Sequence, residues 1–81
     1  MSKKKEPESQ TCFIDLHLIG GGGRIIVSYD DKYIDEVWKD LLEHLAMQEV
    51  WCIEHLAYIE AFYNGYGVTR IDLKKVVALT E

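Results

Sequence analysis

The sequence predicts an α+β fold: a small two-layer domain whose antiparallel sheet (β-hairpin, helix, β-hairpin, terminal strand) packs on one main helix. Three observations carry this. Residues 12–19 and 24–30 alternate apolar and polar side chains, residues 30–47 switch to helical spacing, and Asn64-Gly65 sits between aromatic and β-branched runs.

The first hairpin follows from period two. Cys12, Ile14, Leu16 and Leu18 share one side of the first run, and Ile25, Val27 and Tyr29 share one side of the second. Between them stand four consecutive glycines, Gly20–Gly23. Closing the turn at Gly21-Gly22 pairs Leu18 with Ile25, Leu16 with Val27 and Ile14 with Tyr29, which joins the apolar residues into one face. A phosphate loop requires a strand, a glycine loop and then a helix whose N–H groups point at the anion. Here a second strand follows the glycines, and Asp30, Asp31, Asp35 and Glu36 crowd the nearest helix start. The glycines therefore turn the chain.

The helix is expected from Asp31, whose carboxylate suits the N-cap, with a stripe of Ile34, Val37, Trp38, Leu41 and Leu45. Burying those five would contribute roughly 7–15 kcal/mol, enough to dock the helix on the hairpin. Residues 47–56 fit a connection with a short strand better than a continued helix, although one helix reaching residue 63 has compatible composition. The second hairpin, with Asn64, Gly65 and Tyr66 as its loop, would pair Ile59 with Ile71, Glu60 with Arg70 and Ala61 with Thr69, setting opposite charges across the strands. Val76, Val77 and Leu79 follow as a terminal edge strand, with a short helix from Asp72 as the alternative.

Length and charge bound the function. The chain of 81 residues is one domain: residues 1–10 read as a flexible basic tail with Lys3, Lys4 and Lys5, and residues 11–81 as the folded unit. That unit carries twelve of the fourteen acids but only six of the nine bases, and those six are scattered. Its negative field disfavours a nucleic-acid backbone, so no direct nucleic-acid contact is expected. No apolar run approaches a membrane span, and the lysines at the start lead into no apolar segment. A cytoplasmic protein with Cys12 and Cys52 as reduced core thiols is expected.

No constellation carries chemistry. Cys12, His17, Cys52, Glu54 and His55 offer metal-ligating types, but Cys12 and His17 lie five positions apart on an extended strand and point to opposite faces, so no metal site is expected. Asp15 and His17 share a strand face as an oriented base would need, and the simpler reading is a polar surface pair. No nucleophile elbow surrounds Ser28. No catalytic residue and no cofactor are expected, and the aromatic residues Tyr58, Phe62, Tyr63 and Tyr66 read as packing rather than base-stacking groups because only Arg70 is a basic neighbour.

What remains is a surface. The second face of the first hairpin carries Phe13, Ile19 and Ile26 among Asp15, His17, Arg24 and Ser28, too apolar for an entirely solvated sheet. Either residues 47–56 or another subunit must cover it. The expected partner is a second copy of the chain or another protein, with Phe13, His17, Ile19, Ile26 and Trp51 as the partner-binding residues. The function that follows is a non-catalytic interaction or regulatory module that self-associates. Two alternatives stand beside it: a small acidic inhibitor that fills the basic groove of a nucleic-acid-binding protein, and a small-ligand binder or enzyme whose site, lined by His17, Asp15 or Arg24, lies at a dimer boundary.

Overall fold

A computed structural model of the chain describes residues 10–81, and the basic tail expected before Thr11 lies outside the described residues apart from Gln10. The elements run β1 (Thr11–Leu18), β2 (Arg24–Asp30), α1 (Ile34–Met47), β3 (Val50–Cys52), β4 (Ile59–Tyr63), β5 (Tyr66–Val68), β6 (Arg70–Asp72) and β7 (Val76–Thr80). Five strands form one antiparallel sheet in the order β5-β4-β2-β1-β7, and β3 and β6 pair separately. This is the α+β architecture of an antiparallel sheet on one main helix, with a small second sheet added.

The alternation in β1 and β2 buries the side it predicts. Ile14 and Leu16 pair with Val27 and Ile25 across the strands, and all four are buried. The register, however, lies two residues from the expected one. Leu16 faces Ile25, not Leu18, because the turn closes one step earlier, with Leu18 N–H donating to the Gly23 carbonyl at 2.9 Å. A short 3-10 turn at Ile19–Gly21 occupies that loop, with Gly20 at φ 67° and Gly21 at φ 74°. A two-residue slip leaves every side chain on its original face, so the apolar pattern tolerates either pairing.

The helix starts later than expected. Asp30, not Asp31, supplies the capping carboxylate: it accepts from the Lys32 N–H at 3.1 Å and closes a 3-10 turn at Asp31–Tyr33 that leads into α1. Ile34, displaced to the first position of α1, is consequently exposed. Val37 and Leu41 are fully buried and Trp38 and Leu45 half-buried against the sheet. The two buried residues alone contribute roughly 3–6 kcal/mol. The helix ends at Met47 with Gln48 in the left-handed region at φ 55°, where Gln48 N–H donates to Leu45 and Glu49 N–H to His44, both at 3.1 Å.

The second hairpin departs most from expectation. Asn64 (φ 54°) and Gly65 (φ 83°) form a two-residue turn, so Tyr63 pairs with Tyr66 and Ala61 with Val68. Positive φ at both central residues matches the right-handed twist of the flanking strands, and this turn geometry prevails over the Glu60–Arg70 charge match. The chain then leaves β4: Arg70 pairs with Cys52 and Ile71 with Trp51 in the small sheet. Trp51, Ile53, Ile71 and Leu73 close the core beneath α1. A 3-10 turn at Leu73–Lys75 leads into β7, which pairs with β1 at the sheet edge as a terminal strand.

Candidate functional site

Residues of α1, β3 and β6 join one core with the inner side of the five-stranded sheet, while Phe13 and Phe62 stand exposed on its other side; Ile53, Glu54 and Leu56 approach that side only at its β4–β5 edge, where they line an open cleft with Glu60 and Phe62. Cross-strand pairing fixes what this outer face displays. One row runs Phe62, Ile26, Asp15 and Thr80, the next runs Glu60, Ser28 and Phe13, and His17 stands opposite Arg24. Ile26 and Phe62 are direct neighbours and Phe13 is diagonal to Ile26, so the three form one apolar patch in the middle of the face. Phe13 is 53 % and Phe62 38 % exposed, and Ile26 is half-buried between them. Ile19, 60 % exposed, stands on the glycine loop beyond the His17–Arg24 pair.

Polar groups border the patch, and toward the glycine loop they are paired. Arg24 Nη1 donates to Asp15 Oδ2 at 2.9 Å. His17 Nε2 lies 3.1 Å from Thr80 Oγ1. Asp15 and His17 share the face, but Asp15 is engaged by Arg24 and His17 by β7, so the arrangement is a polar border and not a coupled acid–base pair. Among the described residues Arg24 is the only lysine or arginine on this face of the strands.

At the opposite end of the face from Arg24, where β1 begins and β2 ends, an open cleft of about 470 Å³ is lined by Thr11, Asp30, Lys32, Tyr33, Tyr58 and Glu60 among others. The Tyr33 and Tyr58 rings stack there with centroids 4.3 Å apart and planes at 15°. The Lys32 ammonium lies 5.3 Å from the Tyr33 ring centroid. Asp30 and Glu60 are in no ion pair among the described residues. Burial pushes the Tyr58 phenol above its ordinary value, and the nearby carboxylates of Asp40 and Glu36 push the same way. The cleft therefore sits in a negative field beside an aromatic wall. It draws on three separate stretches of chain, and no local sequence signal marks it.

Of the expected partner-binding residues, Phe13, His17, Ile19 and Ile26 lie on the outer face or its adjoining loop. Trp51 does not, and its assignment as a partner anchor is corrected: it is 0 % exposed, and its indole N–H donates to Asp40 Oδ2 at 2.6 Å, tying β3 to α1. Phe62, which the sequence presents as one of a group of packing aromatics, takes its place: alternation along β4 sets it on the outer face beside Glu60, 38 % exposed. The thiols are both free, but only Cys12 packs against the core; Cys52 is exposed, which corrects its reading as a core thiol. Among the described residues no three His, Cys, Asp or Glu side chains converge as a metal would require. Nor is any helix long and apolar enough to cross a membrane.

Fold and face together define a small two-layer α+β domain with an open sheet surface, apolar at its centre and polar at its border. No protein-family model, no curated protein and no solved structure matches the chain.

Proposed function

We propose that the protein is a non-catalytic interaction module of the cytoplasm that self-associates by stacking the outer faces of two sheets. The observation that carries this is the Phe13, Ile26 and Phe62 patch, bordered by polar groups, on a face that α1 leaves open. An apolar centre inside a polar rim is how specific interfaces are built.

The size of the face sets the strength. Five strands about 4.8 Å apart, with about six residues rising about 3.3 Å each, span about 24 by 20 Å. Side-chain relief raises that to at most the ~800 Å² per partner of a standard interface, so the dimer is a reversible one. Charge favours the same arrangement. Residues 30–49 hold seven acids (Asp30, Asp31, Asp35, Glu36, Asp40, Glu43 and Glu49) against Lys32 and Lys39. Stacking the outer faces leaves both acidic helices on the far sides, separated by more than the ~8 Å screening length at physiological salt.

Sedimentation over a concentration series tests the reading. Dimer is expected to accumulate with concentration, and Phe13→Glu and Phe62→Glu are expected to stay monomeric with unchanged circular dichroism. A wild-type chain that is still monomeric at about 100 µM, where an interface of about −5.5 kcal/mol would already be half-associated, defeats it.

A further inference from the structure

The two ends of the outer face are chemically opposite. Arg24, with 57 % of its side chain exposed, stands at the hairpin end, and the cleft holding Asp30, Glu60 and the stacked Tyr33–Tyr58 pair stands at the other. We infer that the cleft receives Arg24 of a second copy, so that two chains stack with their strands running antiparallel and each completes the other's cleft. This rests on the proposed self-association and adds its orientation and its polar contact.

The geometry supports it as follows. Arg24 and Asp30 begin and end the same strand, six residues apart, or about 20 Å at about 3.3 Å per residue. A two-fold axis crossing the strands at Val27, midway between them, lays β2 on its symmetry mate in reverse. Each Arg24 then stands over the partner's Asp30, and the partner's Glu60, which pairs with Ser28, lies one strand over and two residues along, within reach of the long guanidinium side chain. Stacked sheets lie about 10 Å apart, a gap that an arginine and a glutamate side chain span between them. Aligned packing with strand axes within about 30° is also the ordinary geometry for two sheets face to face.

The chemistry fits a guanidinium in particular. It pairs with a carboxylate through two parallel N–H donors and stacks on an aromatic ring, and the cleft offers both partners. The Lys32 ammonium over Tyr33 shows that the tyrosine wall already attracts a cation. In the monomer, among the described residues, Arg24 is held by Asp15, through an exposed ion pair that contributes little and is readily exchanged. The alternative two-fold, parallel to the strands, would place Arg24 near the partner's Arg24 and the two acidic clefts near each other, which is repulsive at both ends.

Charge reversal in the full chain, read by sedimentation and by fluorescence-detected dilution, tests the inference. Arg24→Glu and Glu60→Arg, each alone, are expected to weaken the dimer about tenfold or more, because each places like charges across both symmetric contacts. The combined variant is expected to return to within a few fold of wild type. Within one chain the two residues stand at opposite ends of the face, so only contact between copies produces the rescue. Lys32→Gln, which removes a competing cation from the cleft, is expected to tighten the dimer. Single variants that dimerise like wild type, or a combined variant no better than the worse single one, overturn the inference while the self-association stands. A monomeric wild type would instead remove the reading on which it rests.

Discussion

The Tyr63 hydroxyl donates to the Gly22 carbonyl at 2.7 Å, fastening β4 to the loop that joins β1 to β2. The Tyr63 ring also lies 3.4 Å from where a Cβ on Gly23 would stand, and Gly23 has φ 96°. Loop and tyrosine therefore fix each other, and the glycine run serves as a seat for a side chain from the neighbouring strand. Replacing Tyr63 with Phe keeps the ring and removes only the bond. A loss of about 1 kcal/mol is expected in urea unfolding with an unchanged denaturant slope.

Gly65 and Gly67 make a paired test of the second turn. Gly65 has φ 83°, and neither residue has an atom within 4 Å of an added Cβ, so sterics are equal and backbone conformation alone differs. Gly65→Ala is expected to cost about 1 kcal/mol, because alanine resists the left-handed region. Gly67→Ala, in the extended β5, is expected to be neutral or to stabilise by about 0.5 kcal/mol through the lost freedom of the unfolded chain. Thermal melts of both variants read the difference. Equal effects would mean that the turn is not the two-residue type.

The contrast between these hairpins shows what a sequence makes legible. In β1 and β2 the side-chain period alone separates the buried Ile14, Leu16, Ile25, Val27 and Tyr29 from the outer Phe13 and Ile26, and it does so even with the register wrong by two. In β4 and β5 the register depends on the turn, and the Glu60–Arg70 charge match pointed one residue astray. β3 and β6 are three residues each, too short to show any period, so the sequence offers Trp51 as a partner-binding aromatic although it is core. The outer face was visible because it follows from alternation. The cleft at its end was not, because Thr11, Asp30, Tyr33, Tyr58 and Glu60 meet only through the fold.

Trp51 anchors the small sheet through Asp40, and the bond crosses from β3 to α1. Asp40→Asn keeps an acceptor oxygen in place and is expected to cost less than about 1 kcal/mol. Trp51→Phe removes the donor and leaves a cavity at a fully buried position, for an expected loss of about 2 kcal/mol. In a domain this small such a loss lowers the melting temperature by roughly 8–16 °C. A Trp51→Phe variant as stable as wild type would show that the β3–β6 sheet contributes nothing to the cooperative fold.

Alkaline pH probes the buried phenols. Burial raises the Tyr29 and Tyr58 pKa values above 10.0; the Trp38 N–H, donating to Tyr29 at 3.2 Å, offsets part of this for Tyr29, and carboxylates reinforce it for Tyr58. Each folded-state phenol holds its proton more tightly than the unfolded chain does. Their stabilisation is therefore complete below about 10 and is lost as pH rises through the folded values, since the unfolded state then binds fewer protons. The urea midpoint is expected to fall as pH is raised from about 9 to about 11. Lysine titration also contributes there, so the informative quantity is the difference between wild type and Tyr58→Phe, which keeps the stacked ring but has no proton to lose. That difference is expected to shift against wild type as pH rises, and a pH-independent difference would mean that the Tyr58 phenol ionises alike in the folded and unfolded chains.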